Sequence, residues 1–148
     1  MYEALKEAKK AYLKEEVPIG AVIVKDGKVI ARAHNLREKT NNAISHAEIL
    51  AIEKACKKLN SWRLEDCTIY VTLEPCPMCL GAMMQARIKK VYYGALDKKN
   101  GAILSIGNML DLKTTWNLEH EYIECKESSE ILTNFFKELR NSKKINNK

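Results

Sequence analysis

At 148 residues the chain is most simply one domain, long enough to bury about 68–70% of its unfolded surface without disulfide or metal staples. Its 46% hydrophobic and 30% charged residues suit a soluble globular protein, and no apolar run is long enough to cross a membrane. Lys plus Arg outnumber Asp plus Glu by 25 to 19, a balance that fits a polyanion partner or, equally, a Lys-rich solvated surface.

Residues 2–14 place Leu5, Ala8, Tyr12 and Leu13 among Lys and Glu, the spacing of an amphipathic helix that packs on a sheet. Pro18 ends it, because the residue before proline avoids helical angles. Ile19 to Lys25 is apolar and β-branched, Asp26-Gly27 is a turn signal, and Lys28 to Ala33 resumes a strand, so the first two strands form an antiparallel hairpin. His34-Asn35 follows at the strand end and can reach the mouth of a pocket. The Asn35 amide suits a base edge or ribose, or simply forms a turn. After a polar loop over 36–44, the run from His46 to Leu59 is apolar almost all round and reads as a buried helix, with His46 and Glu48 in its first turn.

Cys67 to Leu73 reads as a central strand. Pro75 keeps Glu74 extended, and Pro77 suits the first position of a helix over 77–86, which sets Cys76 and Cys79 at a positive helix end that favours thiolates. The methionines at 78, 83 and 84 are core or a subunit contact. Lys90 to Gly94 is a short strand, Asp97 to Gly101 a loop, 102–117 irregular, Glu121 to Cys125 a last strand, and about Ser129 to Asn141 a helix. Residues 141–148 read as a flexible basic tail. Strands alternating with helices imply an α/β layered domain over 1–148 with a mixed sheet. Five cysteines, an odd number, in a chain that opens without a signal-peptide core point to a reducing compartment, the cytoplasm, with free or metal-bound thiols.

Two motifs carry the chemistry: His46-Ala47-Glu48 and Pro75-Cys76-Pro77-Met78-Cys79. Taken singly, each has an ordinary explanation. Ser45-x-x-Glu48 is also a capping box, and C-x-x-C is also a redox pair or half of a structural zinc site. Together, two thiols one helical turn apart and one imidazole make three protein ligands, which leaves tetrahedral zinc a fourth position for water. Glu48 is then free to carry protons. That set describes hydrolytic attack on a carbon bearing an amino leaving group. The joint pattern resembles the signature of zinc base deaminases.

On these residues, together with Glu16 to Val22, Asn35, Tyr70 to Cys76, Gly81-Ala82-Met83, Gly94-Ala95, Asp97, Lys99, Gly101-Ala102 and Phe135-Phe136, the sequence resembles the tRNA-specific adenosine deaminases of the cytidine-deaminase-like fold. The resemblance implies a three-layer α/β/α sandwich around a mixed sheet of about five strands. It implies one zinc per subunit on His46, Cys76 and Cys79, with Glu48 as proton shuttle. It further implies that Asn35, Ile19 and the backbone at Ala47 and Glu74 border a flipped nucleoside. Asp97 and Lys99 would flank the neighbouring nucleotides, and Phe135-Phe136 would support the stem. The family converts the wobble adenosine of a tRNA anticodon arm to inosine and releases ammonia, acting as a homodimer or heterodimer, with no membrane and no nucleotide cofactor. An anticodon loop is a reasonable target because its bases are already unstacked. The chain departs from the family in carrying Asn42-Ala43-Ile44-Ser45 before the His motif and Asn117-Leu118 with His120 displaced, changes that spare the zinc ligands. The rivals are a deaminase of free guanine or cytosine, which shares the metal site, and a non-catalytic zinc-binding partner subunit, which is expected to lack the glutamate.

Overall fold

The protein is described by a computed structural model over residues 1–114 and 116–147. The elements, in chain order, are α1 (Tyr2–Leu13), β1 (Gly20–Lys25), β2 (Lys28–His34), α2 (Ala47–Leu59), β3 (Cys67–Val71), α3 (Pro77–Gln85), β4 (Lys90–Tyr93), a 3-10 turn (Met109–Asp111), β5 (Glu119–Tyr122) and α4 (Lys126–Asn146). The five strands form one sheet in the order β2-β1-β3-β4-β5. β1 is antiparallel to both β2 and β3, whereas β3, β4 and β5 run parallel. The hairpin expected at Asp26-Gly27 is present, with Gly27 at φ 73° and a register shift at Ile23/Val24.

The α/β/α layering follows from strand alternation. Ala21, Ile23, Ile69, Val71 and Val91 point to one face and form the main core with Ala47, Ala51 and Ala55 of α2 and Leu80 and Met83 of α3. On the other face α1 lies directly on β1 at Gly20, where a Cβ would stand only 2.0 Å from the Ala4 carbonyl oxygen. Glycine there lets a helix backbone and a strand backbone touch. α4 packs on α1, through Phe135 edge-on to Tyr12 at 6.0 Å between ring centroids.

Three boundaries differ from the sequence reading. β5 spans Glu119–Tyr122 rather than 121–125: its residues are exposed and mostly charged, as suits a protected sheet edge, and the apolar pair Tyr122-Ile123 marks its end. α4 begins at Lys126 and continues to Asn146, so residues 141–146, read as tail, form an exposed last turn and a half of helix; Lys148 lies outside the described residues. α2 is half-buried rather than buried all round, with Glu53, Lys54, Lys57 and Lys58 exposed. No helix among the described residues is long and apolar enough to cross a membrane.

Beneath α1 lies a buried carboxylate. Glu7, 4% exposed, is 2.9 Å from His34 Nδ1 and 3.0 Å from Lys10 Nζ. The Lys14 ammonium donates to His34 Nε2 at 2.9 Å. His34 therefore braces α1 against β2. Burial pushes the Glu7 carboxyl up, but the His34 and Lys10 contacts outweigh it and hold it below its ordinary 4.5. A carboxyl depressed on folding contributes stability that is complete above the unfolded value and is lost as pH falls through the folded one. Glu7→Gln is therefore expected to lower stability at neutral pH by about 2 kcal/mol, a fall of roughly 4–8 °C in Tm for a chain of this size. The difference from the unsubstituted protein should shrink as pH drops below about 4.5. Thermal unfolding followed by circular dichroism at two pH values checks both statements.

Candidate active site

The N-termini of α2 and α3 converge just beyond the carboxyl end of β3. His46 is the residue that begins α2, and Cys76 the one that begins α3, with Pro77 in its first turn. Both have extended backbones, with ψ of 153° and 169°. Each carbonyl starts its helix, accepting from the Leu50 amide at 3.1 Å and the Leu80 amide at 2.9 Å. β3, α3 and β4 form a parallel crossover unit, and in such units ligand sites lie outside the carboxyl ends of the strands.

His46 Nδ1 stands 3.7 Å from Cys76 Sγ and 3.5 Å from Cys79 Sγ, and the three ligand atoms all lie within 4.8 Å of one another. Tetrahedral zinc, with bonds of about 2.3 Å to sulfur and about 2.0 Å to imidazole nitrogen, separates such atoms by about 3.5 Å. The donor set therefore fits a metal ion of that size and softness. The Cys79 thiol bonds to Cys76 and holds the Cys76 sulfur down to about 4, against the opposing effect of burial and with further help from His46. The same bond, with burial and the charge of Glu48, pushes Cys79 up, and the Cys76 contact raises His46. A metal entering this cluster takes the sulfurs as thiolates and the imidazole as its neutral form, so binding is linked to proton release.

Glu48 is 4% exposed, in the first turn of α2 two residues after His46, and its carboxyl interacts with the Cys79 thiol. Burial raises its pKa, as suits a group that picks up and releases protons. The capping-box alternative does not form. The start of α2 has no side-chain cap, and Ser45 Oγ instead accepts from the Thr40 hydroxyl at 3.0 Å.

Backbone bonds bring Asn35 and Ile19 to the same edge. The Leu36 amide donates to Ser45 O at 3.1 Å, the Asn35 amide to Ile19 O at 3.0 Å and the Thr72 amide to Gly20 O at 3.0 Å. These pairings set Asn35 and Ile19 beside the segments that lead into His46 and Cys76. The Asn35 side chain spans the turn, donating to Val17 O at 3.3 Å and accepting from the Arg37 amide at 3.2 Å. Ala47 is fully buried. Phe135 packs on Tyr12 of α1, and Phe136 is half-exposed beside it. A groove of about 480 Å³ between α1 and α4 shares no residue with the metal cluster.

Two carboxylates escaped sequence reasoning. Glu16, fully buried, accepts from the amides of Glu38 at 3.1 Å and Lys39 at 2.6 Å, and so pins the loop that approaches His46. Glu74, known from sequence only for its backbone, turns its carboxylate inward. It gathers the amides of Asp97, Ile103, Leu104 and Ser105 at 2.8–3.2 Å and the Ser105 hydroxyl. Asp97 in turn accepts from the amides of Lys99 and Asn100, and the Lys99 side chain is exposed. Each glutamate looks like an ordinary surface residue in sequence; Glu74 flanked by Leu73 and Pro75 after a buried strand was the available sign that it points inward.

The MafB19-like deaminase family matches residues 1–140. The tRNA-specific adenosine deaminase of Bacillus subtilis (strain 168) is 52% identical over 147 residues, covering 97% of this chain and 91% of that protein. A structure solved in studies of A-to-I editing by tRNA:A34 deaminases at the wobble position of transfer RNA superposes with a TM-score of 0.81 at 45% identity, over 89% of this chain and 97% of that one. The guanine deaminase of Bacillus subtilis shares the fold at 34% identity and a TM-score of 0.63, over 95% of this chain and 90% of that one. On the family match over residues 1–140 and the 52% identity to a tRNA-specific adenosine deaminase, the chain belongs to the MafB19-like deaminases, in the same family as the tRNA-specific adenosine deaminases.

Proposed function

We propose that this protein is a single-domain zinc enzyme that hydrolytically deaminates adenosine at the wobble position of a tRNA anticodon arm, giving inosine and ammonia. The observation that carries the reading is the joining of the His46, Cys76 and Cys79 donors to buried Glu48 at one sheet edge, in a chain 52% identical to a tRNA-specific adenosine deaminase. His46, Cys76 and Cys79 are the residues that would hold one zinc ion per subunit. Zinc bound there supplies the Lewis acidity that makes water a nucleophile near neutral pH.

Glu48 takes the proton that water gives up and delivers it to N1 of the purine as C6 is attacked. It then takes the second proton of the added water from the new C6 hydroxyl and passes it to the C6 amine, which leaves as ammonia as C6 becomes a carbonyl. Its burial keeps bulk water from competing for that proton. Asn35 and Ile19, with the backbone at Ala47 and Glu74, line the place of the flipped nucleoside. Asp97 and Lys99 meet the adjoining nucleotides, and Phe135-Phe136 supports the stem from α4. The excess of six positive charges favours such a substrate over an uncharged free base. The cytoplasm is the compartment in which it acts.

The assembly is a homodimer. A second groove of about 230 Å³ runs beside Pro77 at the start of α3, lined by Ala102, Ile106, Met109 and Leu112. Leu104, Ile106 and Leu112 are each more than half exposed, and Gly81 on the outer side of α3 faces open space. This continuous apolar strip supports self-association around the site. Ile106→Glu is expected to halve the mass measured by light scattering while leaving the zinc content at one per chain.

The decisive assay is inosine formation in a synthetic anticodon stem-loop with adenosine at the wobble position. Zinc-loaded protein should produce it, and activity should fall with salt at a log–log slope of about −0.7 per phosphate contacted. Salt-insensitive turnover of free guanine or cytosine, with none on the stem-loop, supports the alternative reading instead. Glu48→Ala should keep its zinc, read by atomic emission, while kcat drops by about 10³-fold. Cys79→Ala should lose the metal, along with thermal stability. Full activity in Glu48→Ala removes that residue from the mechanism.

A further inference from the structure

The Glu74 carboxylate is 2% exposed, and none of the ion pairs among the described residues includes it. An isolated buried carboxylate costs several kcal/mol unless it is fully hydrogen-bonded. Here one short stretch of chain supplies the donors. Oε2 accepts from the amides of Ile103 at 3.1 Å, Leu104 at 2.8 Å and Ser105 at 3.1 Å, and Oε1 from the Asp97 amide at 3.2 Å and the Ser105 hydroxyl at 2.5 Å. The 97–105 loop closes so tightly around the anion that a Cβ at Gly101 would fall 2.3 Å from the carboxylate carbon. Glycine is what lets the backbone approach.

This ring of donors has an inner and an outer end. Inside, the Glu74 amide donates to Ala95 O at 2.8 Å and the Ala102 amide to Pro75 O at 2.9 Å, which locks the loop to the segment carrying Cys76. Outside, Asp97 Oδ1 accepts from the amides of Lys99 at 3.1 Å and Asn100 at 3.2 Å, forming a turn that leaves Lys98, Lys99 and Asn100 exposed. One carboxylate thus fixes the distance between a metal-ligand segment and an exposed polar turn.

We infer that Glu74 is a positioning residue for substrate: its carboxylate sets where the Asp97–Asn100 turn meets the RNA, and so governs binding of the polynucleotide rather than the chemical step. The inference rests on the function proposed above. Loss of the anion leaves the cluster of His46, Cys76 and Cys79 in place, because none of these side chains bonds to Glu74. It frees the turn to shift, and misplacement of that order is enough to weaken oriented binding.

The test uses full-length zinc-loaded protein as wild type, Glu74→Gln, Gly101→Ala and, as the mildest change, Ser105→Ala. Steady-state kcat and KM are measured on the synthetic anticodon stem-loop, with Kd from fluorescence anisotropy on the same RNA and zinc per chain by atomic emission. KM and Kd are expected to rise about tenfold in Glu74→Gln and Gly101→Ala and about threefold in Ser105→Ala, with kcat and zinc content little changed. Unchanged KM and Kd in Ser105→Ala and Gly101→Ala, both folded and metal-loaded, overturn the inference alone. So does a fall in kcat accompanied by loss of zinc, which makes Glu74 a support for the metal ligands instead. Should the wild type make no inosine, the proposed reaction fails, and the Kd series still decides the role of Glu74. A wild type that neither converts nor binds the stem-loop overturns both.

Discussion

The convergence of two helix N-termini at one point governs this architecture. α2 and α3 both begin just outside the carboxyl edge of the sheet, with His46 and Cys76 as their starting residues. Unpaired amides and the positive ends of the helix dipoles meet there, which favours anionic sulfur. The β3-α3-β4 crossover brings α3 back over the sheet, and the alanine-rich inner face of α2, with Ala47, Ala51 and Ala55 fully buried, lets the two helices lie close. Small residues in that face are therefore a requirement of the metal geometry as much as of the core.

Loops around the cluster are organised by a different device. Three glutamates, Glu7, Glu16 and Glu74, are buried and each accepts hydrogen bonds from a separate segment: α1 with His34, the loop approaching His46, and the loop after β4. An apolar anchor would hold such segments less directionally. A carboxylate with four lone-pair sites dictates where several amides must lie, and charge-assisted bonds are stronger than neutral ones. Leaving any of these anions unpaired would be costly, so each loop is held close to a single conformation.

Legibility from sequence followed the physics of periodicity. The hairpin at Asp26-Gly27, the helices at either end of the metal motif and the strand before Thr72 all carried local signals, and all three metal-cluster residues could be named because ligand chemistry restricts residue type and spacing. Glu48 was legible for the same reason. The inward carboxylates of Glu16 and Glu74 were not, because a glutamate in a loop is ordinarily solvated and its burial depends on amides far away in sequence, up to 31 residues for Ser105. The bracing role of His34 was not legible because its partners, Glu7 on α1 and Lys14 just beyond that helix, are far from it in sequence. The last strand and the end of α4 were displaced for a simpler reason: at a charged sheet edge and on a solvated helix, hydrophobic pattern no longer marks the boundary.

The two devices divide the work. The metal cluster is built on helix starts packed against the core, where shifts of fractions of an ångström are resisted on all sides. The rim is built on loops whose outer residues, such as Lys99, are exposed and whose inner surfaces are tied to carboxylates. A fold arranged in this way can keep its chemistry while its rim changes, because rim residues make no bond to the ligands. The guanine deaminase of Bacillus subtilis, alike in fold at 34% identity, is consistent with such a division. In this chain the placement of the loops around the cluster depends on carboxylates hidden beneath them, Glu16 under the loop that approaches His46 and Glu74 under the loop after β4.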